Sequence, residues 1–241
     1  MTDLGAAWAT VVYTAAILVL LGVRSWQQYR KTGSAGFNGF RTAKGPAARI
    51  AGIGFVLAVL AGMLSPALAW GHVIPLLWGG HPRVIVAGAI LALTGLTVGF
   101  VAQHTMGTSW RIGVDTSERT DLITHGLFAL VRNPIFTALL MIQAGTTLMA
   151  PTWVAPIALA ALGLACQVQV RLVEEPHLLA THTTRYSRYA TRAGRFVPLL
   201  GRLQRHDKNT GVHADTPDIH HPRPPRKCTD STLRPSIRNE R

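Results

Sequence analysis

The chain has 241 residues, of which 48% are hydrophobic, and it carries a formal net charge of +13 at pH 7. No acidic residue occurs between Asp3 and Asp115, which excludes a soluble domain of ordinary surface composition and indicates a membrane protein. Of the 24 Lys and Arg residues, 14 lie from Arg171 onward, beside apolar segments. A basic tail facing lipid headgroups explains this charge better than nucleic-acid binding does.

Five apolar runs predict an all-α integral membrane protein with about five transmembrane helices. They cover roughly residues 5–23, 50–70, 84–103, 134–150 and 152–170. The basic cluster follows the first run instead of preceding it, so we expect a retained anchor and not a cleaved signal peptide. The last two runs are short and only residues 150–152 separate them, which predicts an antiparallel helical hairpin.

The distribution of Lys and Arg among the loops predicts the orientation in the membrane. Residues 24–49 carry six basic residues, residues 71–83 carry one, and residues 104–133 carry three. We therefore expect the N-terminus outside and the C-terminus in the cytoplasm, with loops 24–49 and 104–133 also on the cytoplasmic face.

Three regions follow from these patterns. Residues 1–103 contain the first three helices, and residues 104–203 contain a cytoplasmic loop, the hairpin and a C-terminal interfacial helix. Residues 204–241 are rich in His, Pro, Arg, Asp and Thr without apolar periodicity, which predicts disorder. The spacing of the histidines in this tail is irregular, and we predict no metal site in the chain.

The first motif with chemical content ends at Asn133-Pro134, where a helix is expected to begin. Pro suits the first helical position, and an Asn before it can cap the helix. The start of the fourth run would therefore present backbone N–H groups and a positive dipole end to the cytoplasm, with Arg132 adding a cation. This arrangement can hold an anionic group, although an ordinary capped helix beside an interfacial Arg has the same sequence pattern.

The second motif, residues 171–176, follows the fifth run directly. Arg171 and Glu174 are three residues apart and would share a helical face, whereas Glu175 lies about 100° around the helix from Glu174. A carboxylate this close to the hydrocarbon boundary is costly unless it is paired or binds a ligand. It can accept hydrogen bonds from ribose hydroxyls or from an amine, or attract a sulfonium cation. A surface ion pair is the alternative interpretation.

Farther along, Tyr186 and Tyr189 share one helical face with arginines interleaved between and around them. This pattern is typical of an interfacial amphipathic helix, and it is compatible with a lid over a site. Because the hairpin returns the chain to the same face, both motifs are expected at the cytoplasmic edge of the membrane.

Taken together, residues 104–200 resemble the isoprenylcysteine carboxyl methyltransferase family and its bacterial relatives, within the wider group that includes phospholipid N-methyltransferases. The resemblance rests on the order of five short segments: residues 122–128, residues 131–136, Arg171-x-x-Glu174-Glu175-x-x-Leu178, Tyr186-x-x-Tyr189 and Arg195-Phe196-x-Pro198. The chain departs from the family in having Asn133 where His is frequent and Phe at positions 128 and 136 where Tyr is frequent.

This resemblance implies a pocket for S-adenosyl-L-methionine at the cytoplasmic edge of a bacterial inner or plasma membrane. Glu174 would contact the cofactor, and Arg171 would face the methyl acceptor, so these two are the candidate catalytic residues. Arg132 stands beside the predicted helix start in this pocket. The remaining candidate cofactor-binding residues are Thr120, Asp121, Leu122, Ile123, Phe128, Asn133, Pro134, Ile135 and Phe136.

The resulting hypothesis is methyl transfer to a lipophilic or lipid-linked acceptor within the membrane. A carboxylate or thiol acceptor is favoured, because no residue is an obvious general base for an amine or a phenol. Two alternatives stay open: an NADPH-dependent membrane reductase of the steroid 5-alpha-reductase type, and a non-catalytic membrane protein. An ionisable residue at mid-span would favour transport, and none occurs.

Overall fold

The computed structural model describes residues 2–33, 46–78, 81–107 and 122–203, and within these ranges every regular element is helical. One isolated parallel β-bridge, between Val131 and Gly194, is the exception. The α-helices are α1 Thr2–Ile17, α2 Arg24–Thr32, α3 Pro46–Trp70, α4 Pro82–Met106, α5 Pro134–Met149, α6 Val154–Gln169 and α7 Glu175–Ala190.

Two π-turns connect neighbouring helices, so that each pair of helices continues as one helical segment. Leu18–Val23 connects α1 to α2, and Val170–Glu174 connects α6 to α7. In the first, the buried side-chain amide of Gln103 on α4 donates to the carbonyl oxygen of Leu20 at 2.7 Å. This hydrogen bond satisfies a backbone acceptor at the π-turn, which matters inside an apolar layer where water is absent.

Four of the described helices are long and apolar enough to cross a membrane: Leu4–Arg30, Arg49–Trp70, Pro82–Met106 and Val154–Ala190. The apolar helix Pro134–Met149 has 16 residues, or about 24 Å of length against a hydrocarbon core of about 30 Å. The prediction of an all-helical integral membrane protein is therefore confirmed, with four helices of spanning length and a shorter fifth. The predicted orientation stays a prediction.

The hairpin differs from its predicted form in its second arm. Helical structure does not stop near residue 170 but continues through the π-turn and α7 to Ala190, with a kink at Thr183. Charged residues begin at Arg171, so the part that can cross the bilayer ends there and α7 lies beyond it.

Helices α4 and α5 pack at very short distance because small residues face each other along their contact. A Cβ atom added to Gly145 would lie 2.4 Å from the carbonyl oxygen of Gly88, and one added to Gly95 would lie 2.8 Å from that of Ala138. Neither position tolerates a side chain, which is the usual way in which helices associate closely within a membrane.

A buried polar contact fixes α1 and α3 against α5. The Tyr13 hydroxyl donates to Oε1 of Gln143 at 2.7 Å, and both side chains are almost fully buried. Gly62 on α3 leaves the space that Gln143 occupies, since a Cβ there would come within 1.9 Å of the amide oxygen. The apolar core around this contact includes Leu20, Ile142, Leu162 and Cys166.

The predicted regions 1–103 and 104–203 pack into one compact unit within the described ranges. Residues 204–241, predicted to be disordered, lie outside the described residues, as do Thr120 and Asp121.

Candidate functional site

The first motif forms a short connection from α4 to α5. After residues 122–124, a single 3₁₀ turn, Gly126–Ala129, begins at a glycine with φ +62° and buries Phe128. The chain then runs straight through Val131 and Arg132 into α5. Phe128 is therefore placed beneath the loop, while its carbonyl oxygen accepts a hydrogen bond from the Tyr189 hydroxyl at 2.7 Å.

The chain after α7 returns to this connection as a C-terminal strap, defined here as residues 193–203. The Arg132 N–H donates to the Gly194 carbonyl at 2.7 Å, and the Gly194 N–H donates to the Leu130 carbonyl at 3.0 Å. Gly194 has no room for a side chain, because a Cβ would lie 2.0 Å from the carbonyl oxygen of Val197. Backbone pairing thus holds the strap directly beside the start of α5.

A buried ion-pair cluster, called the clasp below, joins both motifs to the strap. Glu175 Oε1 lies 2.9 Å from Nη2 of Arg132 and 2.9 Å from Nε of Arg195, and Arg195 Nη2 donates to Oε2 at 3.0 Å. The side chains of Arg132 and Glu175 are 2% and 10% exposed. The two bonds from Arg195 are charge-assisted and bidentate, the strongest common geometry for this interaction, whereas Arg132 and Glu175 form an ion pair.

Arg132 makes further bonds that tie the clasp to the backbone. Its Nη1 donates to the carbonyl of Ala190 at 3.2 Å and its Nη2 donates to that of Gly201 at 2.8 Å. Within the described residues, its buried Nε has no acceptor. Arg132 therefore connects the start of α5, the end of α7 and the strap, with one nitrogen left to bind.

Among the described residues, Arg171 and Glu174 form no ion pair with each other, so the alternative interpretation of a surface ion pair between them is not supported. Both lie in the π-turn, whose wider turn rotates residues three apart away from each other. Arg171 is exposed and Glu174 is half-buried. Among the described side chains none forms a hydrogen bond or ion pair with the Glu174 carboxylate. It stands directly beside the clasp without belonging to it.

Asn133 precedes α5 as predicted, but its side chain does not cap the helix. Instead, its Nδ2 donates to the carbonyl of Arg195 at 3.0 Å, and its backbone N–H donates to the same oxygen at 3.2 Å. The prediction of capping is wrong because an acceptor from the strap competes for the amide. Consequently, within the described chain the N–H groups of Ile135 and Phe136 receive no acceptor, and the positive end of α5 stays uncapped.

Two tyrosines of α7 close the other side of this region. Tyr186 is fully buried and meets Tyr189 edge-to-face, with ring centroids 6.0 Å apart. Burial raises the pKa of Tyr186 to about 12 and raises the pKa of Tyr189 as well. Both phenols keep their protons at neutral pH, as the donation from Tyr189 to Phe128 requires. The predicted face shared by the two tyrosines therefore packs inward.

The structure brings most of the predicted site residues to one place. Arg132, Asn133 and Pro134 lie at the clasp, and Phe136 packs edge-to-face on Phe55 at 5.9 Å at the bundle interior. Leu122, Ile123 and Ile135 are half-buried. No group of three potential metal ligands occurs among the described residues. A shallow depression of about 430 Å³ at the opposite end of α4, lined by Pro82 and Val86, lies away from this region.

Sequence reasoning gave no role to Glu175 or to Arg195, the two residues that complete the clasp. The charge pattern could have indicated them. Two carboxylates stand next to each other at the end of an apolar helix, and every Lys or Arg position in residues 171–203 is an Arg. At least one of them had to be neutralised by a partner if it was buried.

Comparison with protein-family models supports the resemblance stated above. The family model for phospholipid methyltransferase matches residues 83–185, which include both motifs and α4 to α7 up to Arg185. The chain is also similar to the solved structure of the eukaryotic intramembrane Ras methyltransferase ICMT (isoprenylcysteine carboxyl methyltransferase). That similarity has 21% sequence identity and a TM-score of 0.47, and it covers 78% of this chain and 62% of the other chain. No curated protein matches the sequence.

Residues 83–185 thus resemble the phospholipid methyltransferase family.

Proposed function

We propose, on the premise that residues 83–185 match the phospholipid methyltransferase family, that this protein transfers a methyl group from S-adenosylmethionine to a lipophilic acceptor. The observation that carries the proposal is the meeting of the two motifs at the clasp. It leaves an unpaired carboxylate, Glu174, beside the uncapped start of α5.

The groups around the clasp fit a polar zwitterionic cofactor. The free N–H groups of Ile135 and Phe136, the positive dipole end of α5 and the unpartnered Nε of Arg132 can bind a carboxylate. Glu174 supplies the complementary negative charge for an ammonium or sulfonium group, or accepts bonds from ribose hydroxyls. When bound, S-adenosylmethionine supplies an activated methyl group on sulfur.

The apolar side chains of the first motif complete the proposed pocket. Phe128 is buried, and Leu122, Ile123 and Ile135 are half-buried near the loop, which suits contact with a flat adenine ring. Thr120 and Asp121 remain proposed pocket residues from the resemblance alone. Arg171 is exposed on the π-turn and is free to orient an anionic acceptor. Because Arg171 does not pair with Glu174, we assign the two residues different partners: the acceptor for Arg171 and the cofactor for Glu174.

The acceptor most compatible with this site is a carboxylate or thiol on a lipid-linked molecule. Neither of these acceptors needs a strong general base, and the rate would come from holding the reacting groups close together in a site that excludes water. The tight packing of the loop under Tyr186 and Tyr189 contributes to that exclusion.

Titration calorimetry on the detergent-purified protein tests the cofactor. We expect saturable binding of S-adenosylmethionine and no binding of NADPH. Glu174→Gln should weaken binding by about 10- to 100-fold, the usual value of a hydrogen bond to a charged group. Arg171→Gln is the matched variant, and it should leave cofactor affinity unchanged while raising KM for an anionic acceptor.

Binding of NADPH alone would identify a reductase instead. If a folded sample binds neither compound, the site has no cofactor and the proposal is wrong.

A further inference from the structure

Four consecutive apolar residues of the strap, Val197-Pro198-Leu199-Leu200, point away from the protein. We call them the knuckle. Val197, Leu199 and Leu200 are 50%, 67% and 65% exposed. Exposure of such an apolar run to water is unfavourable, and exposed apolar clusters on proteins usually contact a partner or a membrane.

The exposure of the knuckle is built into the backbone and does not come from a loose end. Leu199 has φ +71°, which a residue with a branched side chain seldom adopts. The Leu200 N–H donates to the Val197 carbonyl at 3.2 Å, and the Leu200 carbonyl accepts from the Arg195 N–H at 2.8 Å. Arg195 is itself held by Glu175 in the clasp, so the knuckle is fixed on both sides.

The knuckle lies at the level where α5 enters the apolar layer. The carbonyl of Phe196, the residue just before it, accepts from the Thr137 hydroxyl at 2.7 Å, and Thr137 is in the first turn of α5. The Phe196 ring packs against the apolar core of the bundle. The next residues therefore face outward at the boundary between the membrane and the water.

Charge around the knuckle matches a lipid surface. No acidic residue occurs between Pro176 and Leu203. The exposed cations of this stretch are Arg185, Arg188, Arg192 and Arg202. Apolar side chains flanked by arginines are the composition that inserts at a headgroup boundary, with the cations among anionic phosphates.

We propose that the knuckle docks into the headgroup–acyl boundary of the bilayer in which the chain is embedded. Lipid contact then covers its apolar side chains and, through Arg195 and the clasp, holds the strap against the start of α5. This inference uses the structure of the strap and does not depend on which cofactor the protein binds.

Site-directed spin labelling of the full chain in vesicles of phosphatidylcholine and phosphatidylglycerol tests the proposal. The background replaces the two cysteines, Cys166→Ala and Cys228→Ser, and single labels are placed at Leu199→Cys and Val197→Cys. Accessibility to oxygen and to a water-soluble nickel chelate measures the depth of each label. We expect both labels about 5–10 Å below the phosphate level.

Two reference labels define the scale. Leu164→Cys, exposed on α6 within the apolar span, should report the lipid interior, and Ser187→Cys, exposed between Arg185 and Arg188, should report the level of the headgroup phosphates, above the knuckle. Nickel accessibility at positions 197 and 199 as high as at Ser187 would overturn the proposal. Spin–spin broadening at Leu199 that disappears on dilution with unlabelled protein would also overturn it, because a second copy would then cover the knuckle.

Discussion

Replacing Glu175 with Gln should release the strap while leaving the bundle folded. Glutamine has the same shape and keeps one acceptor oxygen, but it removes the charge that two guanidinium groups share. Arg132 is 2% exposed and Arg195 is 13% exposed. Removal of one member of a buried ion pair costs about 3–5 kcal/mol. Because Arg195 can turn partly toward water, we expect a value of about 3 kcal/mol.

Hydrogen exchange measured by mass spectrometry detects the release of the strap as faster exchange of the backbone amides that pair the strap with the start of α5. Those amides belong to Arg132, Asn133 and Gly194. If the strap opens locally, a loss of about 3 kcal/mol speeds their exchange by about 100-fold, since each 1.4 kcal/mol is a factor of ten. Exchange in α4, whose contact with α5 does not involve the clasp, should stay unchanged.

The neighbouring Glu174→Gln variant is the control, since it makes the same change from a carboxyl group to an amide one residue away without breaking an ion pair among the described residues. Its exchange at the strap should match that of the wild type. Equal exchange in the Glu175→Gln variant and the wild type would refute the assignment of the clasp. Faster exchange in both variants would show that charge at the π-turn matters and that the contacts of Glu175 do not.

Two further substitutions test the packing on which the site depends. Asn133→Asp keeps a good capping residue but loses the donor to the Arg195 carbonyl. We expect it to lower the stability measured by thermal unfolding by about 1–3 kcal/mol. An unchanged unfolding midpoint would instead support the predicted role of the Asn133 side chain as the cap of α5. Gly145→Ala should lower the unfolding midpoint, with overpacking against Gly88 costing about 1–3 kcal/mol. Gly54→Ala, where an added Cβ meets nothing within 4 Å, should hold or raise it, and equal effects of the two substitutions would contradict the packing.

Much of the fold could be predicted because it depends on local composition. Helix positions follow from apolar runs of a length that the bilayer sets, and the start of α5 follows from a proline at its first position. The length of the second hairpin arm was harder to predict. Arg171 and two glutamates interrupt the apolar run, and nothing in that local pattern distinguishes a helix end from a π-turn that continues into α7.

The residues of the candidate site were identified, but their partners were not. The sequence placed Arg132 and Asn133 beside a helix start and put two carboxylates at the return of the hairpin. It could not decide which carboxylate is buried, because a π-turn changes the direction in which each side chain points.

The sequence also did not predict that the Asn133 side chain donates to the carbonyl of Arg195, a residue 62 positions away. Composition and hydropathy therefore determined the membrane helices and the edge at which the two motifs meet. Only the tertiary structure decided the pairing, because hydrogen bonds and ion pairs depend on distances of about 3 Å between residues remote in sequence.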